Sequence, residues 1–364
     1  MGLSQNLAAP GSDGGEGSWD FLLKATLRRV SRSFYLTLRV LPASLRQPIG
    51  VAYLLARAAD TIADTRMLPR AERLGCLQEL REALTAGTLG PIGELPRKLS
   101  PAQADPAERS LLEHLADCFH CFGSLTPGDR ERVRRLVLTI TQGMQMDLER
   151  FPGERPKEIA ALATRADLDR YTYLIAGCVG EFWTEIHLAH RKSLAGWDAP
   201  AMKALGIRFG QGLQLTNVLR DLPRDLRIGR CYLPTEDLAR FGLTPKDLLE
   251  PAAADRLRPF FHELIRYTLD HYEAGWRYTL AIPAREFRMR LACAWPLLIG
   301  LGTLGRLART SRFLDPACHI KVPRARVYGL VFASTATVPS NALLNQLFQR
   351  LRRRIPIEAL QPAG

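Results

Sequence analysis

Tyr53-Leu-Leu-Ala-Arg57-Ala-Ala-Asp60-Thr-Ile-Ala-Asp64 reads as an apolar helix carrying one polar stripe. Tyr53, Arg57, Asp60 and Asp64 recur at steps of three and four, which puts them on one helix face. Such a stripe on an apolar helix marks the wall of a lined cavity better than a wet surface. The plainer alternative is a solvated face paired with arginine. Carboxylates one turn apart repel unless a cation or a proton lies between them.

A second stretch repeats the design. In Gln214-Leu-Thr-Asn217-Val-Leu-Arg220-Asp221-Leu-Pro-Arg-Asp225, the residues Gln214, Asn217, Asp221 and Asp225 share a face. Asn and Asp supply hard oxygen ligands of the kind that hold Mg²⁺ and bridge it to phosphate. Arg220, Arg224, Arg227 and Arg230 crowd the same region and suit bidentate contacts to phosphate oxygens. A salt-bridged helix end is the alternative. Two such faces opposite each other would hold divalent ions, and the ions a diphosphate. Pro223 lies between Asp221 and Asp225, so a break in the helix is expected there, with Asp225 the least secure ligand.

Outward from these clusters, nearly every segment between turn signals has helical spacing. Helices are expected over 21–30, 47–65, 71–86, 108–122, 126–151, 167–190, 199–221, 255–281, 284–309 and from 324 onward, with a short one after Thr235. The proline-rich run 91–106 breaks the pattern. Alternating strand patterns are scarce, and His319-Ile-Lys-Val is the one tempting stretch. The fold class is therefore all-α, with 1–19 as a flexible, Gly/Ser-rich tail, a helical domain over 20–330, and a basic amphipathic helix and tail over 331–364. That terminal helix, 342–355, combines Leu343, Leu344, Leu347, Phe348 and Leu351 with Arg350, Arg352, Arg353 and Arg354, and is expected either to lie on a membrane surface or to pack on the core.

The 364 residues carry a formal net charge of +13, which favours anionic partners. The basic residues follow no nucleic-acid-binding motif, so a nucleic-acid partner is not expected. There is no secretory leader pattern, and no apolar run of about 18 residues to cross a bilayer. The seven cysteines are scattered and odd in number, as reduced core thiols would be. His114, Cys118, His120 and Cys121 match no common zinc spacing. Gly300-Leu-Gly302-Thr-Leu-Gly305 matches a dinucleotide fingerprint, but no βαβ context surrounds it, so close helix packing explains it better.

Five ordered blocks together resemble the squalene/phytoene synthase family. They are Ser31-Arg-Ser-Phe34, the stretch 53–64, Tyr171-Thr-Tyr-Leu-Ile-Ala-Gly177-Cys-Val-Gly180, the stretch 214–225, and Gly229-Arg230-Cys-Tyr-Leu-Pro234. The resemblance implies an isoprenoid-synthase fold around a central cavity. It implies Mg²⁺ (or Mn²⁺) held by Asp60, Asp64, Asn217, Asp221 and Asp225. Ser31, Arg32, Arg57, Gln214, Arg220 and Arg230 would bind diphosphate. Tyr53 and Tyr171 would line the reacting centre, with Tyr171 in proton transfer or cation stabilisation, Arg57 beside them and Phe34 along the prenyl chains.

Within that family, the segments 293–300 and 319–324 look more like the squalene branch, which couples two farnesyl diphosphates and reduces the product with NADPH. Lys321 and Arg324 would meet that cofactor's phosphates. Ala292 and Pro323 depart from the branch's pattern. The alternatives are a phytoene or dehydrosqualene synthase, which needs no NADPH, and a non-catalytic prenyl-diphosphate-binding homologue. A cytoplasmic location is expected, with peripheral contact at the membrane face. Oligomeric state is not legible.

Overall fold

The computed structural model describes residues 26–30, 34–87 and 93–357, with the side chains of 34–36 outside the description. The helices are α1 (Leu27–Val30), α2 (Phe34–Val40), α3 (Ala43–Asp64), α4 (Arg70–Ala86), α5 (Leu95–Leu99), α6 (Pro106–Glu113), α7 (Leu115–Ser124), α8 (Pro127–Arg150), α9 (Arg165–Thr172), α10 (Cys178–His190), α11 (Ala199–Arg227), α12 (Thr235–Ala239), α13 (Ala254–Ala281), α14 (Phe287–Leu307), α15 (Arg324–Thr337) and α16 (Asn341–Arg352). Among the described residues the strands are β1 (Ala160–Ala161) and β2 (Arg230–Cys231), paired in parallel. The all-α expectation holds.

Local chemistry sets the starts of the long helices. Pro127 opens α8 behind Thr126, whose hydroxyl accepts the Asp129 amide at 3.2 Å. Thr164 and Asp167 form a reciprocal capping box on α9. The Asp198 carboxylate accepts the Ala201 amide at 3.2 Å to start α11. α3 packs against α8, α8 against α10, α10 against α11, and α11 against α13 and α14. Their apolar faces make one continuous core.

Glycines bring α10 and α11 unusually close. A Cβ on Gly180 would lie 1.8 Å from the Gly206 carbonyl oxygen, and one on Gly210 would lie 2.0 Å from that of Ala176. Between α9 and α10 the chain makes a π turn, Tyr173–Gly177, an extra-residue bulge of a kind that often sits beside functional groups. The Gly300–Gly305 stretch lies inside α14, where a Cβ on Gly300 would meet the Tyr272 hydroxyl at 1.9 Å. It packs helices together, as its sequence context indicated.

Three expectations need revision. α11 runs unbroken from Ala199 to Arg227 through Pro223. Proline in a helix interior costs about 3 kcal/mol, but Pro223 is buried with Leu222 and Leu226 near the helix end, and that packing holds the turn. Asp221 and Asp225 therefore stay on one face. The single helix expected over 108–122 divides at His114 into α6 and α7. The run 91–106 contains the short α5. His319–Val322 forms no strand, in keeping with the all-α reading.

Candidate active site

α3 is buried on almost every side. Along it only Tyr53, Ala56, Arg57, Asp60 and Asp64 keep accessible surface from Val51 onward. The polar stripe is thus the open wall of a cleft. Tyr53 donates its hydroxyl to the Val30 carbonyl at 3.3 Å, tying α3 to α1. Arg57 bridges Asp60 and Glu108, the latter from α6. Asp60 keeps 42 % of its side chain accessible yet has protein around it on the cleft sides. That enclosure, with Asp64 next to it, raises its carboxyl to about 7, against the pull of Arg57.

The second wall is α11. Gln214, Asn217, Arg220, Asp221 and Asp225 are half-buried, while Leu215, Val218, Leu219 and Leu222 behind them are fully buried. Arg220 holds Asp221 bidentately, Nε to Oδ1 at 2.8 Å and Nη2 to Oδ2 at 2.5 Å. Burial and Asp221 together raise the Asp225 carboxyl to about 7, against Arg230. Asn217 donates to the Gln214 side-chain oxygen at 3.2 Å, and Gln214 donates to the Tyr171 hydroxyl at 3.4 Å. Behind this face the Thr216 and Tyr272 hydroxyls meet at 2.8 Å, in the space that Gly300 leaves.

Asp147 joins the two walls, and sequence reading missed it. It lies on α8, 8 % exposed. One of its oxygens is 2.7 Å from Arg230, and the other accepts the Tyr232 hydroxyl at 2.5 Å. Arg230 reaches on to Asp64 at 4.0 Å. Tyr232 stacks on Tyr171 with ring centroids 4.5 Å apart. Arg230 owes its place to the β1–β2 pairing, register Ala160 to Arg230, and to Gly229, whose φ of 80° turns the chain out of α11. Asp147 meets Tyr232 across 85 residues of sequence and Glu108 meets Arg57 across 51, and of Asp147, Tyr232 and Glu108 the quoted 229–234 block contained only Tyr232. Burial raises the Asp147 carboxyl, while Arg230 and Tyr232 hold it down.

Asp147→Asn should therefore disturb Arg230 and Tyr171 together. A fall in kcat/KM of at least about tenfold is expected, and the loss should not add to that of Arg230→Gln. The coupling in a double-mutant cycle should be about 1–3 kcal/mol. Simple additivity would show that the two side chains act separately.

The donor set fits a hard divalent cation. Among the described residues no three Asp, Glu, His or Cys side chains converge to hold one ion by themselves. Mg²⁺ needs no such cage, since it keeps waters and takes one or two carboxylates plus substrate phosphates. Burial first, and a neighbouring carboxylate second, raises the Asp60 and Asp225 carboxyls, and a cation beside them would favour their ionised forms. Without the cation these groups hold protons in the folded chain that the unfolded chain gives up near its ordinary carboxylate range. The folded state then binds more protons between about pH 4 and 7, so stability falls as pH rises through that window. In chelator, Tm should fall from about pH 5 to about pH 8, and Mg²⁺ should restore it at the upper end. A Tm that rises with pH, unmoved by Mg²⁺, would contradict this.

The family model described as squalene/phytoene synthase matches residues 27–326. The chain belongs to the squalene/phytoene synthase family. This is a group of prenyltransferase-type enzymes acting on prenyl diphosphates. A presqualene diphosphate synthase from Zymomonas mobilis is 31% identical over 249 residues, covering 67% of this chain and 70% of the relative. A squalene synthase from Eremothecium gossypii is 23% identical, covering 91% and 71%. A bifunctional lycopene cyclase/phytoene synthase from Colletotrichum graminicola is 29% identical over 68% of this chain, which spans 40% of that relative's length. Among solved structures, TcSQS with the ligand BPH1237 superposes with a TM-score of 0.76 at 20% identity, covering 96% of this chain and 94% of that one. A dehydrosqualene synthase complex gives 0.61 at 22%, covering 88% and 96%. At these identities the superpositions show the isoprenoid-synthase fold.

In this squalene/phytoene synthase family member, then, the structure gathers Tyr53, Arg57, Asp60, Asp64, Tyr171, Gln214, Asn217, Arg220, Asp221, Asp225 and Arg230 on α3, α9, α11 and β2. Ser31 and Arg32 lie outside the described residues, as does the side chain of Phe34, whose backbone begins α2. Lys321, in the segment before α15, and Arg324, the first residue of α15, are solvent-exposed. His114, Cys118, His120 and Cys121 form no metal group among the described residues, and Cys118 and Cys121 are buried free thiols.

Proposed function

We propose that this enzyme joins two farnesyl diphosphates head to head through presqualene diphosphate and reduces the product to squalene. The observation that carries the coupling step is the pair of acidic walls bridged by Arg230 and Asp147 beside a stacked, buried tyrosine pair. Asp60, Asp64, Asn217, Asp221 and Asp225 would hold Mg²⁺, which when bound neutralises the departing diphosphate. Arg57, Arg220 and Arg230 stand among those carboxylates and would take diphosphate oxygens, acting where negative charge develops.

The first ionisation breaks the C1–O bond of one farnesyl diphosphate and leaves an allylic cation. The 2,3 double bond of the second molecule attacks it, and proton loss closes the cyclopropane ring. A second ionisation releases the remaining diphosphate and permits rearrangement. Burial pushes the Tyr171 phenol well above its ordinary range, so at neutral pH it is an uncharged donor and not a base. Its ring and that of Tyr232, both buried, offer π-faces to a cation.

For the last step, Lys321 and Arg324 supply two exposed cations suited to a nucleotide's phosphates. NADPH, when bound, would supply the hydride that quenches the final cation. Incubation with farnesyl diphosphate and Mg²⁺ should give squalene when NADPH is present and none without it. Dehydrosqualene regardless of NADPH would assign the proton-loss branch, and a C40 product from geranylgeranyl diphosphate the phytoene branch. Lys321→Gln/Arg324→Gln should raise the KM for NADPH while leaving presqualene diphosphate formation intact.

A further inference from the structure

The two acidic walls hold their arginines differently. On α11, Arg220 spends Nε and Nη2 on both oxygens of Asp221. A guanidinium and a carboxylate favour that two-pronged seat. On α3, Arg57 reaches only Oδ2 of Asp60, through Nη1. Its Nη2 goes to Oε1 of Glu108, and its buried Nε has no partner among the described residues. The other oxygen of Asp60, Oδ1, accepts no hydrogen bond among the described residues, and the side chain keeps accessible surface.

Glu108 owes its place to the start of α6. Asp105 caps that helix, accepting the amides of Ala107 at 2.8 Å and Glu108 at 3.3 Å, and Pro106 follows as the first helical residue. A glutamate at the third helical position commonly turns back to accept the capping residue's own amide. Here Gln103 has taken that amide, its side-chain oxygen accepting the Asp105 N–H at 3.1 Å. The Glu108 carboxylate is left to cross to α3. Gln103 also ties the two helices together, because its side-chain nitrogen donates to the Thr65 hydroxyl at the end of α3 at 3.4 Å. Arg109 fixes Gln103 in turn, donating to its carbonyl at 2.7 and 3.1 Å.

We propose that Glu108 is a positioning residue that holds Arg57 to one oxygen of Asp60 and so keeps the other free for a divalent cation. It withholds one arm of the Arg57 fork. Its charge also offsets that of the guanidinium, whose repulsion a cation at Asp60 would otherwise meet. The α11 wall has no such divider, and there Arg220 occupies both oxygens of Asp221. The inference rests on the reading of the two walls as a site for divalent cations and diphosphate.

Thermal melting at pH 8 against Mg²⁺ concentration, without substrate, tests it. Glu108→Gln should raise the Mg²⁺ concentration at the midpoint of the Tm shift about ten- to a hundredfold, as loss of a partner behind a ligating carboxylate does. Half-maximal turnover should need correspondingly more Mg²⁺, and saturating Mg²⁺ should recover most of kcat. Glu108→Asp keeps the charge but is one methylene too short to reach Arg57, so it should behave like Glu108→Gln. Adding Glu108→Gln to Arg57→Lys should cost nothing further. A parent-like Mg²⁺ midpoint in Glu108→Gln would overturn the proposal. So would a parent-like Glu108→Asp, which would leave only diffuse charge at work, or additive losses in the pair. Loss of helicity in both Glu108 variants would make the contact structural and overturn it as well. All of these outcomes leave the reading of the walls standing, whereas a parent enzyme that neither responds to Mg²⁺ nor turns over substrate would overturn both.

Discussion

Asp221→Asn is expected to lower turnover at least about a hundredfold while leaving the helical content unchanged. The substitution keeps the size of the side chain and removes one negative charge from the α11 wall. Arg220, now held bidentately by Asp221, loses its charged partner. On the proposed mechanism a divalent cation would lose a ligand, and the developing diphosphate charge would lose that cation's stabilisation. The folded chain does not suffer in the same way. Asp221 is half-buried and is the neighbouring charge that helps push Asp225 up to about 7. Removing it relieves that repulsion, so in chelator the variant should be at least as stable as the parent above neutral pH. Circular dichroism and thermal melting, set beside turnover, separate the outcomes. Unfolding of the variant would mean that the cluster is structural.

The largest effect on stability is expected from Gly180→Ala. The new methyl group would lie 1.8 Å from the Gly206 carbonyl oxygen and 2.3 Å from its carbon. Both are backbone atoms of α11, so no flexible side chain can move aside. α10 and α11 must separate, and α11 carries Gln214, Asn217, Asp221 and Asp225. Overpacking of this kind costs about 3 kcal/mol or more, a fall in Tm of roughly 5–10 °C, and activity should fall with it. Gly75→Ala supplies the control, because a Cβ there meets nothing within 4 Å and alanine favours the helix. Equal melting temperatures for the two variants would show that the close helix crossing is not required.

Which parts of this molecule were legible in its sequence follows from the range of the interactions. The polar stripe of α3 and that of α11 are local patterns, set by helix periodicity, and both became cleft walls. Glycines at 177, 180, 206 and 210 sit where helix backbones nearly touch, but the sequence does not say which glycine meets which carbonyl. Asp147 was hidden for a related reason. It looks like any acidic residue on a charged helix until Tyr232 and Arg230 arrive from β2 and just beyond it. Pro223 misled because its local cost is real, and only the packing of Leu222 and Leu226 offsets it. The terminal helix has a membrane-like composition, but its apolar face found Trp276. On α15 the exposed pair Tyr328 and Phe332 does not stand out in sequence, since exposure depends on what packs nearby.

The most direct measurement is the product formed from farnesyl diphosphate and Mg²⁺ with NADPH left out, by the parent enzyme and by Asp60→Ala. The parent should convert the substrate to a C30 cyclopropylcarbinyl diphosphate with release of pyrophosphate, and the variant should make almost none while remaining folded. Unreacted substrate with the parent enzyme, or a C30 product from a folded Asp60→Ala variant at the parent rate, would contradict a head-to-head coupling carried by the two acidic walls.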